Sequence, residues 1–355
     1  MGTYDLLAGL PLLVESYELE GLVMDVSSGF RRQTTLIHLH GGGEEGVGED
    51  VVYDGEDHDH LQAAGAVLDL AGETTLGDFC DRVDALDLFP VAPVRGDVSR
   101  LYRRWAFHSA ALDLALRQAD TSLHAVLGRE PRPVTFVNSR RLPEQDGRAS
   151  LEELERLLER YPTLRFKLDP TPAWDEPLIA RLRETGAVDS VDFKGLYRGT
   201  VVDNPADPVQ YRRVAEGFPD AWLEDPDLSA DGIDEVLKPH RDRITWDAPI
   251  HSIADVEALP FAPKMVNVKP SRLGPLRELM RAYDYCTERN IGMYSGGQFE
   301  IGPGRGQIQY LASLFHPDTP NDVAPGGYND VDPPDGLPAS PLQPRPAATG
   351  FRWEA

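Results

Sequence analysis

Cysteine, positive charge and long apolar runs are all scarce in this chain. Its two cysteines, Cys80 and Cys286, lie far apart. They form neither a disulfide framework nor a metal-type spacing, so a reducing compartment fits. No apolar run reaches the roughly 18 residues that span a bilayer. The opening stretch MGTYDLLAGLPLLVESYELE lacks a basic n-region and acquires acids early, which makes a poor signal peptide. A soluble cytoplasmic protein is the expectation. Lysine and arginine number 35 against 59 acidic residues, a formal net charge of −24. Such a surface repels nucleic acid and anionic membranes, so neither is expected as a partner. A small anionic substrate would need a locally positive pocket. Composition leaves the oligomeric state open, and a homo-oligomer is compatible with it.

Apolar residues make up 41% of the 355, as in a globular protein. The most informative stretch runs from Ala221 to Gly274. Three short apolar runs there each end in charge: Ala221-Trp222-Leu223 before Glu224, Ile244-Thr245-Trp246 before Asp247, and Met265-Val266-Asn267-Val268 before Lys269. The charges are 23 and 22 residues apart, the length of a strand, a helix and two short loops. That rhythm predicts a parallel barrel with its chemistry at the carboxyl ends of the strands.

The rest of the chain extends this pattern. Residues 1–60 read as strands, with Asp25 to Arg32 as a loop and Gly46-Val47-Gly48-Glu49-Asp50 as a glycine-rich turn. Residues 61–130 read as mainly helical. The clearest helix runs from Arg104 to Leu127, with Gly128 as its stop and His108 and Asp113 as packing and surface residues. From 131 onward strands and helices alternate. Strands around residues 134–137, 164–168, 188–193 and 291–294 join the three above, and an eighth falls between Phe315 and Ala324. The expectation is an α/β fold, a (β/α)7β barrel over 131–325 preceded by an α+β domain over 1–130. The segment 326–355 is proline-rich, and Phe351 and Trp353 could anchor its end.

The strand ends supply Lys167, Asp192, Glu224, Asp247 and Lys269, in that order. Three adjacent carboxylates repel one another unless a cation sits between them. Oxygen ligands without cysteine or histidine favour Mg²⁺ over zinc. A lysine on either side could serve as base and acid. A divalent ion bound to a substrate carboxylate would stabilise the enediolate formed when the adjacent carbon loses a proton.

On these residues the chain resembles the enolase superfamily. The likeness also takes in the AFHSAALDLALRQA helix, Asn267-Val268-Lys269-Pro270-Ser271-Arg272-Leu273-Gly274, and Gly296-Gly297-Gln298-Phe299-Glu300-Ile301-Gly302. It implies an α+β capping domain over a (β/α)7β barrel, one Mg²⁺ held by Asp192, Glu224 and Asp247, and Lys167 and Lys269 as the catalytic pair. Lysines on both the second and sixth strands resemble the branch of muconate lactonizing enzymes, o-succinylbenzoate synthases and dipeptide epimerases. The mandelate racemase branch typically has a histidine on the seventh strand, where this chain has Ile291 to Gly296. By the same likeness, the loop from Asp25 to Arg32, with Phe30, closes over the substrate and the proline-rich tail returns to the capping domain.

Two departures from the resemblance stand out. Arg165-Phe166-Lys167 replaces the common Lys-x-Lys, and Asp192-Phe193-Lys194 replaces the common Asp-x-Asn. Strand residues two apart face the same way, so Arg165 and Lys194 should point into the barrel. The mouth would then be locally positive and suited to an anionic substrate, with Arg165, Lys194 and Glu300 as contacts. Lys194 could also sit among the three acids and weaken or replace the metal.

The function expected is an Mg²⁺-dependent lyase or isomerase that removes a proton α to a carboxylate, by cycloisomerisation, syn-dehydration or epimerisation. The alternative is a non-catalytic metabolite-binding barrel with an altered metal site. Glu300 could instead cap a turn. A further reading makes Gly302-Pro303-Gly304-Arg305-Gly306 a phosphate-binding loop, although the spacing matches neither nucleotide fingerprint.

Overall fold

A computed structural model describes residues 2–26, 30–200 and 202–354 of the chain. Its N-terminal part is built on an antiparallel sheet in which Ser16–Asp25 pairs with Arg31–Gly41, and Arg31–Gly41 with Glu44–Asp50. One face of this sheet packs on the long helix Val98–Gln118. Gly46 and Gly48 make that approach possible. A Cβ on Gly48 would lie 2.0 Å from the Ala106 carbonyl oxygen, and one on Gly46 2.3 Å from that of Ala110. These glycines are strand residues, not the turn expected of them. The turn is made by Gly42 and Gly43, both at positive φ.

The expected helix from Arg104 to Leu127 is two helices. Val98–Gln118 ends near Asp120, whose φ is 49°, and Leu123–Leu127 restarts where the Ser122 hydroxyl accepts from the Ala125 N–H. Gly128 is the left-handed stop that the sequence indicates. No helix among the described residues is long and apolar enough to cross a membrane.

The second half closes into a ring of eight parallel strands. The first two, Asn138–Arg140 and Phe166–Leu168, pair with each other, and Phe166–Leu168 pairs with the third, Val188–Asp192. Trp222–Glu224 and Ile244–Thr245 follow as fourth and fifth. The fifth joins the sixth, Met265–Asn267, through Asn267 N–H to Trp246 O at 2.9 Å and Thr245 Oγ1 to Met265 O at 2.9 Å. Gly292–Tyr294 is the seventh. The eighth is only Asn321 and Asp322: Gly296 bridges to Asp322 and Phe136 to Asn321, both parallel. Proline hides it because so few backbone pairs are needed to close the ring.

Helices Glu176–Thr185, Pro208–Gly217, Leu276–Glu288 and Gly304–Phe315 lie between the strands. The first two start as their sequences direct, with a proline in the first turn and an aspartate cap. Asp175 accepts from Leu178 N–H and Asp207 from Val209 N–H.

Two long-range contacts bind the parts together. The Glu49 carboxylate accepts the N–H groups of Ile301, Gly302 and Gly304 at 2.8–3.1 Å. The donors that a phosphate-binding loop at Gly302–Gly306 would require are thus already satisfied within the chain. Asp113 is wholly buried, not a surface residue. It accepts from Val47 N–H at 3.0 Å, Phe351 N–H at 2.8 Å and Arg352 Nε at 2.8 Å. Phe351 is buried edge-on against Trp105. The proline-rich segment therefore ends on the helix Val98–Gln118.

Two buried histidines make stability depend on pH. Burial, with Arg104 adding repulsion, pushes His108 down to about 3, and burial pushes His316 down to about 4, from an ordinary 6.5. The unfolded chain takes up their protons near pH 6.5 while the folded chain does not, so the contribution of these two residues to stability falls as pH drops below that value. Each histidine contributes a slope approaching about 1.4 kcal/mol per pH unit. Urea unfolding between about pH 7 and about pH 5 measures it, and His108→Gln with His316→Gln is expected to flatten the profile.

Candidate active site at the barrel mouth

The strand ends bring Lys167, Asp192, Glu224, Asp247 and Lys269 into one buried cluster. Asp192 and Glu224 end their strands, Lys167 is the middle residue of Phe166–Leu168, and Asp247 and Lys269 lie two residues beyond Ile244–Thr245 and Met265–Asn267. Lys167 lies at the centre. Its Nζ is 2.6 Å from Glu224 Oε1, 3.2 Å from Asp192 Oδ2 and 3.4 Å from Asp322 Oδ2. Lys269 faces the other side, 2.7 Å from Asp247 Oδ2. The two lysines stand on the second and sixth strands of eight, on opposite sides of the ring.

The departures at Arg165 and Lys194 resolve differently from expectation. Arg165 precedes the second strand and does not reach the mouth. It lies at the amino ends of the strands, paired with Asp189 and with the Gly186 carbonyl. Alternation fails as a guide because the paired strand begins only at Phe166. Lys194 follows the end of the third strand, and its φ of 54° breaks the strand geometry. Its ammonium folds back onto Asp192 and comes within 4.0 Å of Asp169 Oδ1. Of the three acids expected to hold a metal, Lys194 meets Asp192, while Lys167 meets both Asp192 and Glu224.

Besides Asp169, four further residues belong to the cluster and were not singled out in the sequence. Arg272 Nη1 donates to the Asp247 carbonyl at 2.6 Å and to its Oδ1 at 3.0 Å. Its place three residues after Lys269, in the short helix Pro270–Leu273, was a usable signal. Asp225 looked like an outward neighbour of Glu224, but its φ of 49° turns it inward. There its carboxylate accepts the N–H groups of Asp247 at 2.8 Å and Ala248 at 2.9 Å. Tyr294 donates to Glu224 Oε2 at 2.6 Å, and Asp322 reaches Lys167 from the eighth strand.

The charge balance overturns the positive mouth expected from the sequence. Asp169, Asp192, Glu224, Asp247 and Asp322 face the buried cations Lys167, Lys194, Lys269 and Arg272, the half-exposed Arg141 reaches Asp169 from the rim, and Asp225 adds a sixth carboxylate that is held by backbone N–H groups alone. The surplus is of carboxylates. Burial raises Glu224 well above the usual range despite Lys167, and burial with the Asp247 charge pushes Asp225 up to about 7. Burial also acts on Asp192, yet Lys194 and Lys167 hold it well below the usual range. Arg272 and Lys269 do the same for Asp247. The lysines diverge. Against burial, Glu224 and Asp192 raise Lys167 well above its ordinary value, whereas burial, with Arg272 and Lys167 nearby, lowers Lys269.

The donor chemistry fits a hard divalent cation. Among the described residues, Asp192, Glu224 and Asp225 each present an oxygen within 4.8 Å of the others, all buried, with no sulfur or imidazole in the group; Asp225 stands there in place of the expected Asp247, whose two oxygens meet Lys269 and Arg272. A bound divalent cation would favour the charged forms of Glu224 and Asp225, which burial opposes.

The remaining expected contacts lie at the junction with the N-terminal part. Glu300 serves its own turn: Oε1 accepts from Gln298 N–H at 2.8 Å, and Oε2 is 3.4 Å from Arg305. The Phe30 ring packs edge-on against Phe299 at 5.5 Å. Arg32 is buried beside it and donates to the Gln298, Phe299, Val51 and Val52 carbonyls. Residues 27–29 of the loop expected to cover the substrate lie outside the described residues.

Comparison with known proteins shows the family and the fold. The family described as Domain of unknown function (DUF8230) matches through its C-terminal domain at residues 130–330 and its N-terminal domain at residues 5–126. The o-succinylbenzoate synthase of Bacillus subtilis is 27% identical over 233 residues, which is 61% of this chain and only 57% of that protein. The N-succinylamino acid racemase of Thermus thermophilus is 28% identical over 308 residues, 83% of this chain and 79% of its own. Among solved structures, a dipeptide epimerase from Methylococcus capsulatus complexed with Mg ion superposes with a TM-score of 0.70 at 17% identity, covering 95% of this chain and 99% of that one.

The position of Arg165 yields a test. Arg165→Ala is expected to cost about 1 kcal/mol or less of stability, because the pair with Asp189 is partly exposed. It should leave divalent-ion affinity unchanged. Thermal unfolding and a calorimetric Mg²⁺ titration measure the two effects.

Proposed function

The chain belongs to the DUF8230 family and has the fold of the enolase superfamily, and from that premise we propose that it is an Mg²⁺-dependent lyase or isomerase that removes a proton α to a substrate carboxylate. The observation that carries the reading is the placement of Lys167 and Lys269. Two buried ammonium groups stand on opposite sides of one carboxylate cluster, so a carbon held between them has a proton-transfer group on each face. Relatives named as a synthase, a racemase and an epimerase support lyase or isomerase chemistry.

Asp192, Glu224 and Asp247 would hold the Mg²⁺, which when bound supplies positive charge to the substrate carboxylate as negative charge develops beside it. Asp225 holds the backbone that carries Asp247. Arg272 fixes the Asp247 carboxylate from the other side. Lys269 takes the proton, since its surroundings favour the neutral amine more than those of Lys167 do. Lys167 then faces the opposite side of the same carbon as its acid partner. Phe30, packed on Phe299, contributes to substrate selection, and the protein acts in the cytoplasm.

A second reading has one observation in its favour. Lys194 occupies an oxygen of Asp192 that a metal would also use. In that case the barrel binds a metabolite without turnover. Ligand-induced thermal stabilisation without any product would favour it, whereas stoichiometric Mg²⁺ in the purified protein would sink the idea that Lys194 replaces the metal.

The test of the main reading is solvent-deuterium exchange into carboxylic acids of a broad library. Exchange is expected for the substrate class, with a loss of about 10²- to 10⁴-fold in Lys167→Ala and in Lys269→Ala, and with removal of the metal by a chelator. No exchange in any acid would count against the reading.

A further inference from the structure

Tyr294 ends the seventh strand, where the sequence showed only that a histidine is missing. Its ring is buried, and its strand is fixed by pairing with Met265–Asn267 and by the Val268 N–H to Tyr294 O bond of 2.8 Å. The hydroxyl reaches across the mouth to the fourth strand and donates to Glu224 Oε2 at 2.6 Å, while Lys167 holds Oε1 at 2.6 Å. Glu224 is wholly buried, so these two donors set the direction of its carboxylate.

The two donors differ in kind. Lys167 contacts three carboxylates, and in the proposed reaction it must leave them to reach the substrate carbon. A tyrosine on a paired strand stays in place, and as a neutral donor it fixes an oxygen without opposing a cation nearby. The geometry points to Tyr294 as a positioning residue that holds Glu224 in its ion-binding orientation when Lys167 turns away. The inference rests on the reading of Glu224 as an Mg²⁺ ligand.

Calorimetric titration of Mg²⁺ into the full chain tests it without any substrate. Tyr294→Phe removes only the hydroxyl and is expected to weaken binding about 10- to 100-fold. Tyr283→Phe is the control: this tyrosine is also buried, stacked on Phe315, and its hydroxyl has no hydrogen-bond partner. Its affinity should match that of the unmutated protein. Glu224→Gln separates the positioning role from the metal site itself. If Glu224→Gln loses binding but Tyr294→Phe stays within about twofold of the unmutated protein, the positioning role is wrong and the metal site stands. If Glu224→Gln binds as well as the unmutated protein, or the unmutated protein binds no Mg²⁺, both fail.

Discussion

Like charges held close together in a dry cavity constrain everything around them. At this barrel mouth Asp192, Glu224, Asp225 and Asp247 are all shielded from water, and each must be met by a donor or a cation. Strand geometry decides which. Lys167 and Lys269 come from strands across the ring, Arg272 from the turn just after Lys269, and Tyr294 from the seventh strand. The N–H groups of Asp247 and Ala248 serve Asp225. Each of the four has at least two partners, so the cluster is held by shared contacts rather than by single pairs.

The same logic governs the joint between the two halves of the chain. Glu49 leaves the antiparallel sheet to cap the helix that follows the seventh strand, and Arg32 gathers four carbonyls around Gln298 and Phe299. Both side chains are buried, and both find backbone partners from both halves or from the other half alone. The wall of the mouth beside Phe299 is therefore set by residues far away in sequence, and the site depends on the N-terminal sheet for its shape.

Much of this could be read from the residues alone. Charges repeated at strand ends with equal spacing marked the ring, because a parallel barrel brings those ends to one rim. The five principal side chains followed from that pattern. Periodicity misleads where the local backbone departs from its repeat. Arg165 lies just outside its strand, Lys194 and Asp225 have positive φ, and Asp120 breaks a pattern that otherwise reads as one helix. It misleads again at Asp113, a charged residue on a helix that becomes buried only because a distant segment arrives to pair with it. Such long-range partners leave no trace in a repeat.

That segment has a temporal consequence. Phe351 and Arg352, which satisfy and cover Asp113, lie 238 and 239 residues beyond it. The whole barrel is translated in between. Throughout that interval Asp113 has the Val47 N–H but lacks its donors from Phe351 and Arg352, and the place beside Trp105 stays open. The N-terminal half therefore cannot reach its final packing while the barrel strands are still being made. Its last step of consolidation waits for the proline-rich segment to clear the ribosome, which couples the completion of one half to the synthesis of the other.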